Sequence, residues 1–226
     1  MSVAISKNSK ILALFAIACT AMVGLVNELT KEQIYIQHQK QLLSTLNSII
    51  EPERYNNELT LDCTKVADNA LGSDELQTVY LARLNSSPVA GALTFIAPDG
   101  YNGKIELIVA VNIDGSINGV RTLSHQETPG LGDKIELVKS DWINSFSGKQ
   151  LNSDNDSRWA VVKDDGMFDQ FTGATITPRA VVKAVKKATN YFNQHHKELF
   201  TQTNDCQTEQ PLIDEAPKTD RDTNED

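Results

Sequence analysis

The chain has 226 residues, 40% of them hydrophobic and 23% charged, with a formal net charge of −9. This is the composition of a globular protein, and the length suits one ordinary domain plus an anchor and tails. The negative balance argues against nucleic acid as a partner, which calls for basic patches.

Lys7 and Lys10 precede an apolar run from Ile11 to Val26. Its sixteen residues, as a helix, cover ~24 Å, a little less than a ~30 Å hydrocarbon core. Snorkelling by Lys10 and Lys31, or local thinning, covers the difference. The run also has the length of a signal peptide's apolar region, but no clear Ala-x-Ala site follows it. A lipoprotein signal ending at Cys19 would carry Ala16 where leucine is usual; the bland reading of Cys19 is a buried apolar residue. A retained transmembrane helix over residues 1–29 is the favoured reading. The basic residues before it place the N-terminus in the cytoplasm and the rest outside, with Lys31 weakening the bias.

From Lys31 to Ile50, apolar residues at Ile34, Leu42, Leu43, Leu46, Ile49 and Ile50 suggest a helix continuing from the span and ended by Pro52. Residues 30–76 read as a helical connector, residues 77–204 as the domain, and residues 205–226 as an acidic tail expected to be disordered. Within the domain, Thr78–Leu84 and Val89–Ala97 read as strands around an Asn85–Pro88 turn. Pro98-Asp99-Gly100 is a turn, Lys104–Ile113 alternates as a strand, Asp114-Gly115 makes a hairpin and Ile117–Ser124 returns. Helical patches are expected at Asp133–Lys139 and Asp141–Phe146, and a short strand at Trp159–Lys163. The fold class is α+β: an antiparallel sheet with a final helix packed on it.

That helix is expected from Arg179 to about Phe200, with Val181, Val182, Val185, Ala188 and Phe192 near a 3.6-residue period. Thr177 reads as its N-cap and Pro178 as its first residue. Before it lies Asp169-Gln170-Phe171-Thr172-Gly173-Ala174-Thr175, a turn of small and hydroxyl residues. A helix N-terminus behind such a turn suits a phosphate, because its free N–H groups carry partial positive charge. A second loop, Ser124 to Lys134, contains Glu127-Thr128-Pro129-Gly130-Leu131-Gly132. Taken alone, each stretch reads as a capped turn.

There is no CxxC and no close Cys–His cluster, so neither an iron–sulfur nor a structural zinc site is expected. With the domain outside the cytoplasm, Cys63 and Cys206 could form a disulfide between the domain's start and end; two free thiols are the alternative. His195 and His196 suit the negative end of the last helix better than a metal, and His125 reads as structural.

Together the two loops carry more than either alone. The run Asp-x-x-Thr-Gly-Ala-Thr ending at Thr175 resembles the flavinylation motif of the FMN-binding domain family, in which the last Thr carries FMN through a phosphoester. Glu127-Thr128-Pro129-Gly130-Leu131-Gly132 resembles the family's loop over the flavin, and Gly100-Tyr101-x-Gly103 precedes it in family order. Asp133-Lys134-Ile135-Glu136, Thr172 where Ser is common, and the continuation through Arg179 resemble the G subunits of Rnf (also Rsx) ion-translocating electron transport complexes. The resemblance covers nearly the whole chain before the acidic tail.

It implies covalent FMN on Thr175, attached from FAD by a separate flavin transferase. Thr172, Gly173, Ala174 and Thr177 would surround the attachment. Gly130 and Gly132 would let the backbone approach the ring, Leu131 and Thr128 would touch it, and Glu127 and Lys134 would tune its electronics. It further implies an electron-carrying subunit of an ion-translocating oxidoreductase in the bacterial inner membrane, with the flavin domain on the periplasmic side. Lipid and the other membrane subunits would be its partners. A stand-alone flavin reductase and a non-catalytic anchor subunit remain as alternatives.

Overall fold

The computed structural model describes residues 2–206, with side chains from residue 8 onward. Most of the acidic tail, residues 207–226, lies outside the described residues. The chain divides after Thr45 into two compact units.

The first unit is helix α1 (Ser2–Asn47) as far as Thr45. It runs unbroken through the apolar stretch and on toward Asn47, because no proline interrupts it before Pro52. Ile11, Leu12, Phe15, Met22 and Leu25 are all exposed, and none of the most apolar window is buried. A helix apolar on every side is stable only in an apolar medium or a large core. Within Asn8–Asn47 the best window has a mean hydropathy of 2.1, so α1 is long and apolar enough to cross a membrane. Cys19 is a free, exposed thiol on this helix rather than a buried one.

The second unit is an antiparallel meander of five strands in the order β1-β2-β3-β4-β5: β1 (Cys63–Asp68), β2 (Ser73–Leu84), β3 (Ser87–Gly100), β4 (Gly103–Asn112) and β5 (Ile117–Ser124). The β2–β3 turn is two residues, Asn85 and Ser86, both at positive φ, as the twist of a tight hairpin requires. Pro98–Gly100 is strand rather than turn. β3 passes through an irregularity between Ala97 and Gly100, and the chain reverses at Tyr101-Asn102, one residue pair beyond the expected place.

On one sheet face, Leu81, Leu93, Phe95, Leu107, Val109 and Val111 pack against helix α2 (Ile176–Leu199). The helix residues Val181, Val182, Val185, Ala188 and Phe192, picked out by their period, are all buried there. Each large apolar side chain so buried contributes roughly 1.5–3 kcal/mol.

The other face is buried as well: Tyr80, Ala82, Ile96, Ile108 and Ala110 are all covered. Leu46, Ile49, Ile50 and Leu59 are buried, and Ile49 lies against Gly119 of β5. This explains why β4 reads as a nearly continuous apolar run, a pattern that goes with burial on two faces. The stretch expected as a helical connector therefore divides: residues 30–45 stay in α1, while residues 46–76 fold into the domain and supply β1.

Residues 125–175 form no strand of the sheet. Short 3-10 turns at Gly132–Ile135, Asp141–Phe146 and Val162–Asp164 carry the chain past the end of the sheet to α2. The expected strand at Trp159–Lys163 is absent. Trp159 and Val161 are buried, but only a single bridge, Val161 to Phe168, forms there. The apolar residues serve an aromatic cluster instead of a ladder. Phe146 and Phe168 lie 4.4 Å apart, with Trp159 5.3 Å from Phe168.

Candidate cofactor site

The turn before α2 is built by Gly173. Ala174 N–H donates to the Phe171 carbonyl at 3.1 Å, and Gly173 at the third turn position has φ +81°. That is the type II arrangement, which a residue with a Cβ adopts only under strain. The chain then enters the helix at once. Thr175, rather than Thr177, is the residue flanking α2; its backbone is already near helical at φ −88° and its hydroxyl makes no capping bond. Pro178 is consequently the third helical residue, where a missing N–H still costs little because no intrahelical acceptor exists for it.

Thr177 has another task. It is 1% exposed, and its hydroxyl donates to Glu127 Oε2. Glu127 is itself 5% exposed and accepts through Oε1 from the Asn102 N–H at 3.1 Å. Its own N–H donates to His125 Nδ1 at 3.0 Å, and His125 Nε2 meets Glu136 Oε1 at 2.7 Å. With Nδ1 accepting, the ring proton belongs on Nε2, so His125 clamps the loop from beneath. Gly132 leaves the space this arrangement needs: a Cβ there would stand 2.8 Å from Glu127 Oε2 and 2.9 Å from Thr177 Oγ1. The loop glycine thus makes room for a hydrogen bond that joins the two loops. The loop itself is a tight turn in which the Thr128 carbonyl accepts from Leu131 and Gly132.

Between the loops lies a cleft of about 260 Å³. Glu127, Thr128, Leu131 and Gly132 line one side, and the run from Gly173 to Thr177 lines the other. Tyr101, on the β3–β4 turn, closes a third side. The Thr175 end offers a hydroxyl beside a helix N-terminus, a setting suited to a phosphoryl group. Exposed Tyr101, Leu131 and Ile176 offer apolar surface to a flat ring, and buried Glu127 offers a polar carboxyl group. The volume lies just below the ~300 Å³ at which pockets for whole drug-sized ligands begin. The cleft is therefore too small to enclose a ligand of that size completely. Among the described residues, no lysine or arginine lines it.

The FMN-binding domain family model matches residues 100–190, and the model of the RnfG N-terminal region matches residues 1–49. The chain is 54% identical over 202 residues to the G subunit of the ion-translocating oxidoreductase complex of Shewanella oneidensis, covering 89% of this chain and 95% of that one. It is 55% identical over 203 residues to the same subunit of Vibrio atlanticus, with coverages of 90% and 97%. It is 52% identical over 209 residues to that of Aliivibrio fischeri, with coverages of 92% and 100%. The chain belongs to the family of G subunits of ion-translocating oxidoreductase complexes.

In this G subunit, the FMN-binding match begins at Gly100 and so takes in the Tyr101 turn, both loops and most of α2. The structure brings Thr175, Gly173, Ala174 and Thr177 to one cleft with Glu127, Thr128, Leu131 and Gly132. Thr172, Gly130 and Lys134 stand outside the lining: Thr172 and Gly130 are exposed on their turns, and Lys134 is half-buried. Tyr101 and Ile176 line the cleft although their sequence context gave them no role there. A signal existed for Tyr101, since an aromatic side chain at a two-residue hairpin turn has nothing to pack on within its own hairpin. Ile176 carried no such signal.

The surroundings of the G subunit's cleft are held by ion pairs. Arg179 grips Asp164 with two hydrogen bonds of 2.6 and 2.8 Å, which hold the Asp164 carboxyl below its usual range. Lys183 does the same for Asp99 at 2.6 Å. Cys63 and Cys206 form a disulfide with Cα atoms 5.4 Å apart, and Asp205 N–H donates to the Cys63 carbonyl beside it. His195 and His196 bond to carbonyls of their own helix, and among the described residues no group of His, Cys, Asp or Glu is arranged to hold a metal.

Proposed function

We propose that the chain is the membrane-anchored, electron-carrying subunit of an ion-translocating redox complex, with FMN attached through a phosphoester to Thr175. The observation that carries this reading is the state of Thr175. Thr175 lines the cleft, its hydroxyl is not spent on capping, and it follows a turn of small residues that leaves an enzyme room to reach it. Bound FMN would supply stepwise electron transfer. The chain's own residues bind and orient it. The first turn of α2 faces the phosphate, Leu131, Ile176 and Tyr101 shield the ring from water, and Glu127 holds the two loops together through Thr177. Glu127 also places a buried polar carboxyl group beside the cleft, and groups of that kind next to a flavin tune its electronics.

A separate flavin transferase completes the site. The Thr175 oxygen bonds to the flavin-side phosphorus of FAD, the pyrophosphate P–O bond breaks, AMP leaves, and the hydroxyl proton is released. Lipid surrounds α1, and the other complex subunits supply the electron donor, acceptor and ion path. The inner membrane, with the N-terminus cytoplasmic, is the supported placement. Lys7 and Lys10 precede the apolar run that begins at Ile11, and the Cys63–Cys206 pair suits the oxidising side.

Coexpression with an active flavin transferase, followed by a denaturing gel under ultraviolet light, tests the reading. The wild-type band fluoresces and Thr175→Ala abolishes the signal with the thermal midpoint unchanged. A Thr175→Ala band that still fluoresces, or a dark wild-type band beside a labelled control target, overturns it; the latter favours a non-catalytic anchor.

A further inference from the structure

We propose that Trp142 is a positioning residue for the modification of Thr175: it holds the Asp169–Ala174 turn in the form that the flavin transferase must engage. The inference rests on the reading of Thr175 given above.

Trp142 reaches the turn from the 3-10 helix Asp141–Phe146. Its backbone is fixed first, because Trp142 N–H donates to the Ser140 hydroxyl at 3.2 Å. Its indole N–H then donates to the Asp169 carbonyl at 2.8 Å. The ring meets Phe171 edge to face, with centroids 5.1 Å apart at 71°. On its inner side the same ring meets Phe146 at 5.4 Å and 89°. One side chain therefore grips the turn at two residues and ties both to a phenylalanine that is fully buried in the core.

The grip matters because of what surrounds it. The backbone pairing of the preceding segment ends at Phe168, whose carbonyl accepts from Val162 at 2.7 Å. Beyond it, Asp169, Gln170, Thr172 and Gly173 are exposed, while Phe171 alone is buried at 6%. The turn is thus a bridge of exposed backbone between Phe168 and the start of α2, held at its centre by Phe171. The Phe171 carbonyl is also the acceptor that closes the type II turn through Ala174 N–H. Holding Phe171 and Asp169 consequently fixes the direction in which Thr175 leaves the turn.

A transferase that engages only the closed turn meets an apparent affinity reduced by the fraction of chains in that form. Removing the indole N–H while keeping an aromatic ring lowers the closed-to-open ratio of the turn by the equivalent of one hydrogen bond, roughly threefold to tenfold. The chemistry at Thr175, once bound, is unchanged. The expected signature is therefore a rise in the transferase's apparent KM for this chain, reaching at most roughly threefold to tenfold where the open form already competes in the wild type, with kcat unaltered. A side chain that served only the fold would instead change the thermal midpoint and leave the apparent KM of the folded chain unaltered.

The experiment uses the full chain in detergent, with FAD and purified flavin transferase. Initial labelling rates are read from in-gel flavin fluorescence over a range of chain concentrations. Three forms are compared: wild type, Trp142→Phe, and a chain with 3-benzothienylalanine at position 142, which keeps the fused ring and removes only the N–H. Both altered forms are expected to show the raised KM, the wild-type kcat and faster exchange of the Ala174 amide. The wild-type KM in the benzothienyl form overturns the proposal, and so does the wild-type KM in a folded Trp142→Phe chain. If Trp142→Phe fails to fold, the benzothienyl form decides alone. A wild-type chain that takes no label, while a control target does, overturns the Thr175 reading and this one with it.

Discussion

The domain is built in two ways. From Cys63 to Ser124 the chain is held by a continuous ladder of backbone hydrogen bonds, and its residues alternate or run apolar to suit the two faces they bury. From His125 to Thr175 there is no ladder. The chain is held by particular side chains: Trp142 on Asp169, Glu127 on Thr177, Arg158 on Asp156, and the aromatic cluster around Phe146. The candidate cofactor site lies almost wholly in the second kind of structure. A ladder satisfies its own backbone and leaves few groups to present. A loop held by side chains can expose a hydroxyl, bury a carboxylate and leave a cleft between the two.

The sharpest way to break this comparison is to remove one large ring from each region. Phe146 and Phe95 are both fully buried. Either change to alanine is expected to cost about 3–5 kcal/mol in global stability. The distribution should differ. Phe146→Ala should raise amide exchange at Val162, Gly166 and Phe168 and slow flavin attachment, with the sheet amides still protected to the reduced global limit. Phe95→Ala should weaken protection throughout. Identical exchange patterns in the two variants would show that the two regions open as one.

Gly132→Ala asks whether the loops are joined as tightly as the geometry says. The added Cβ would press on Glu127 and Thr177, both of them buried. Overpacking of this kind costs about 1–3 kcal/mol. Because the clash falls on the hydrogen bond from Thr177 of α2 to Glu127, the expected result is a lowered thermal midpoint together with a changed flavin absorption spectrum. A wild-type spectrum with a lowered midpoint would separate the loop junction from the flavin environment.

The same contrast accounts for what the sequence disclosed. β2 to β5 and the buried face of α2 were legible because a period-2 or period-3.6 pattern is a local property. The Thr175 turn was legible because Gly173 at positive φ and the small residues beside it are a local feature of the sequence. β1 was not, since Cys63-Thr64-Lys65-Val66 has little alternation and its pairing is supported by Cys206 and Asp205 from the far end of the chain. Thr177 was read as a cap because that is the local use of a threonine beside a proline. Its true partner, Glu127, lies fifty residues earlier. Trp159–Lys163 reads as a strand because apolar side chains destined for a loop's aromatic cluster look the same as those of a short ladder. Residues 46–61 concealed their role because nothing local says that a sheet has a second face to cover.

The mildest test concerns the acid side of stability in the segment without a ladder. Asp156 is buried, and its carboxyl is held well below the usual carboxylate range, chiefly by Arg158, whose Nε and Nη2 donate at 3.0 and 2.6 Å. The Asn152 and Arg158 N–H groups add two further bonds of 3.1 Å each. Asp156 also offers its carbonyl to Lys186 of α2 at 2.7 Å, so it fastens the 151–159 loop to the helix. A carboxyl with a depressed folded pKa binds fewer protons in the folded than in the unfolded state. Its contribution is therefore present above the unfolded value near ~4 and is lost as pH falls below it. Wild-type stability should decline from about pH 5 downward, and Asp156→Asn should flatten that decline while lowering stability at neutral pH. Arg158 is half exposed to solvent, so the effect at neutral pH should be smaller than that of Phe146→Ala or Gly132→Ala. Parallel acid profiles for the two proteins, measured by denaturant unfolding from pH 7 to pH 3, would move the origin of acid sensitivity away from Asp156.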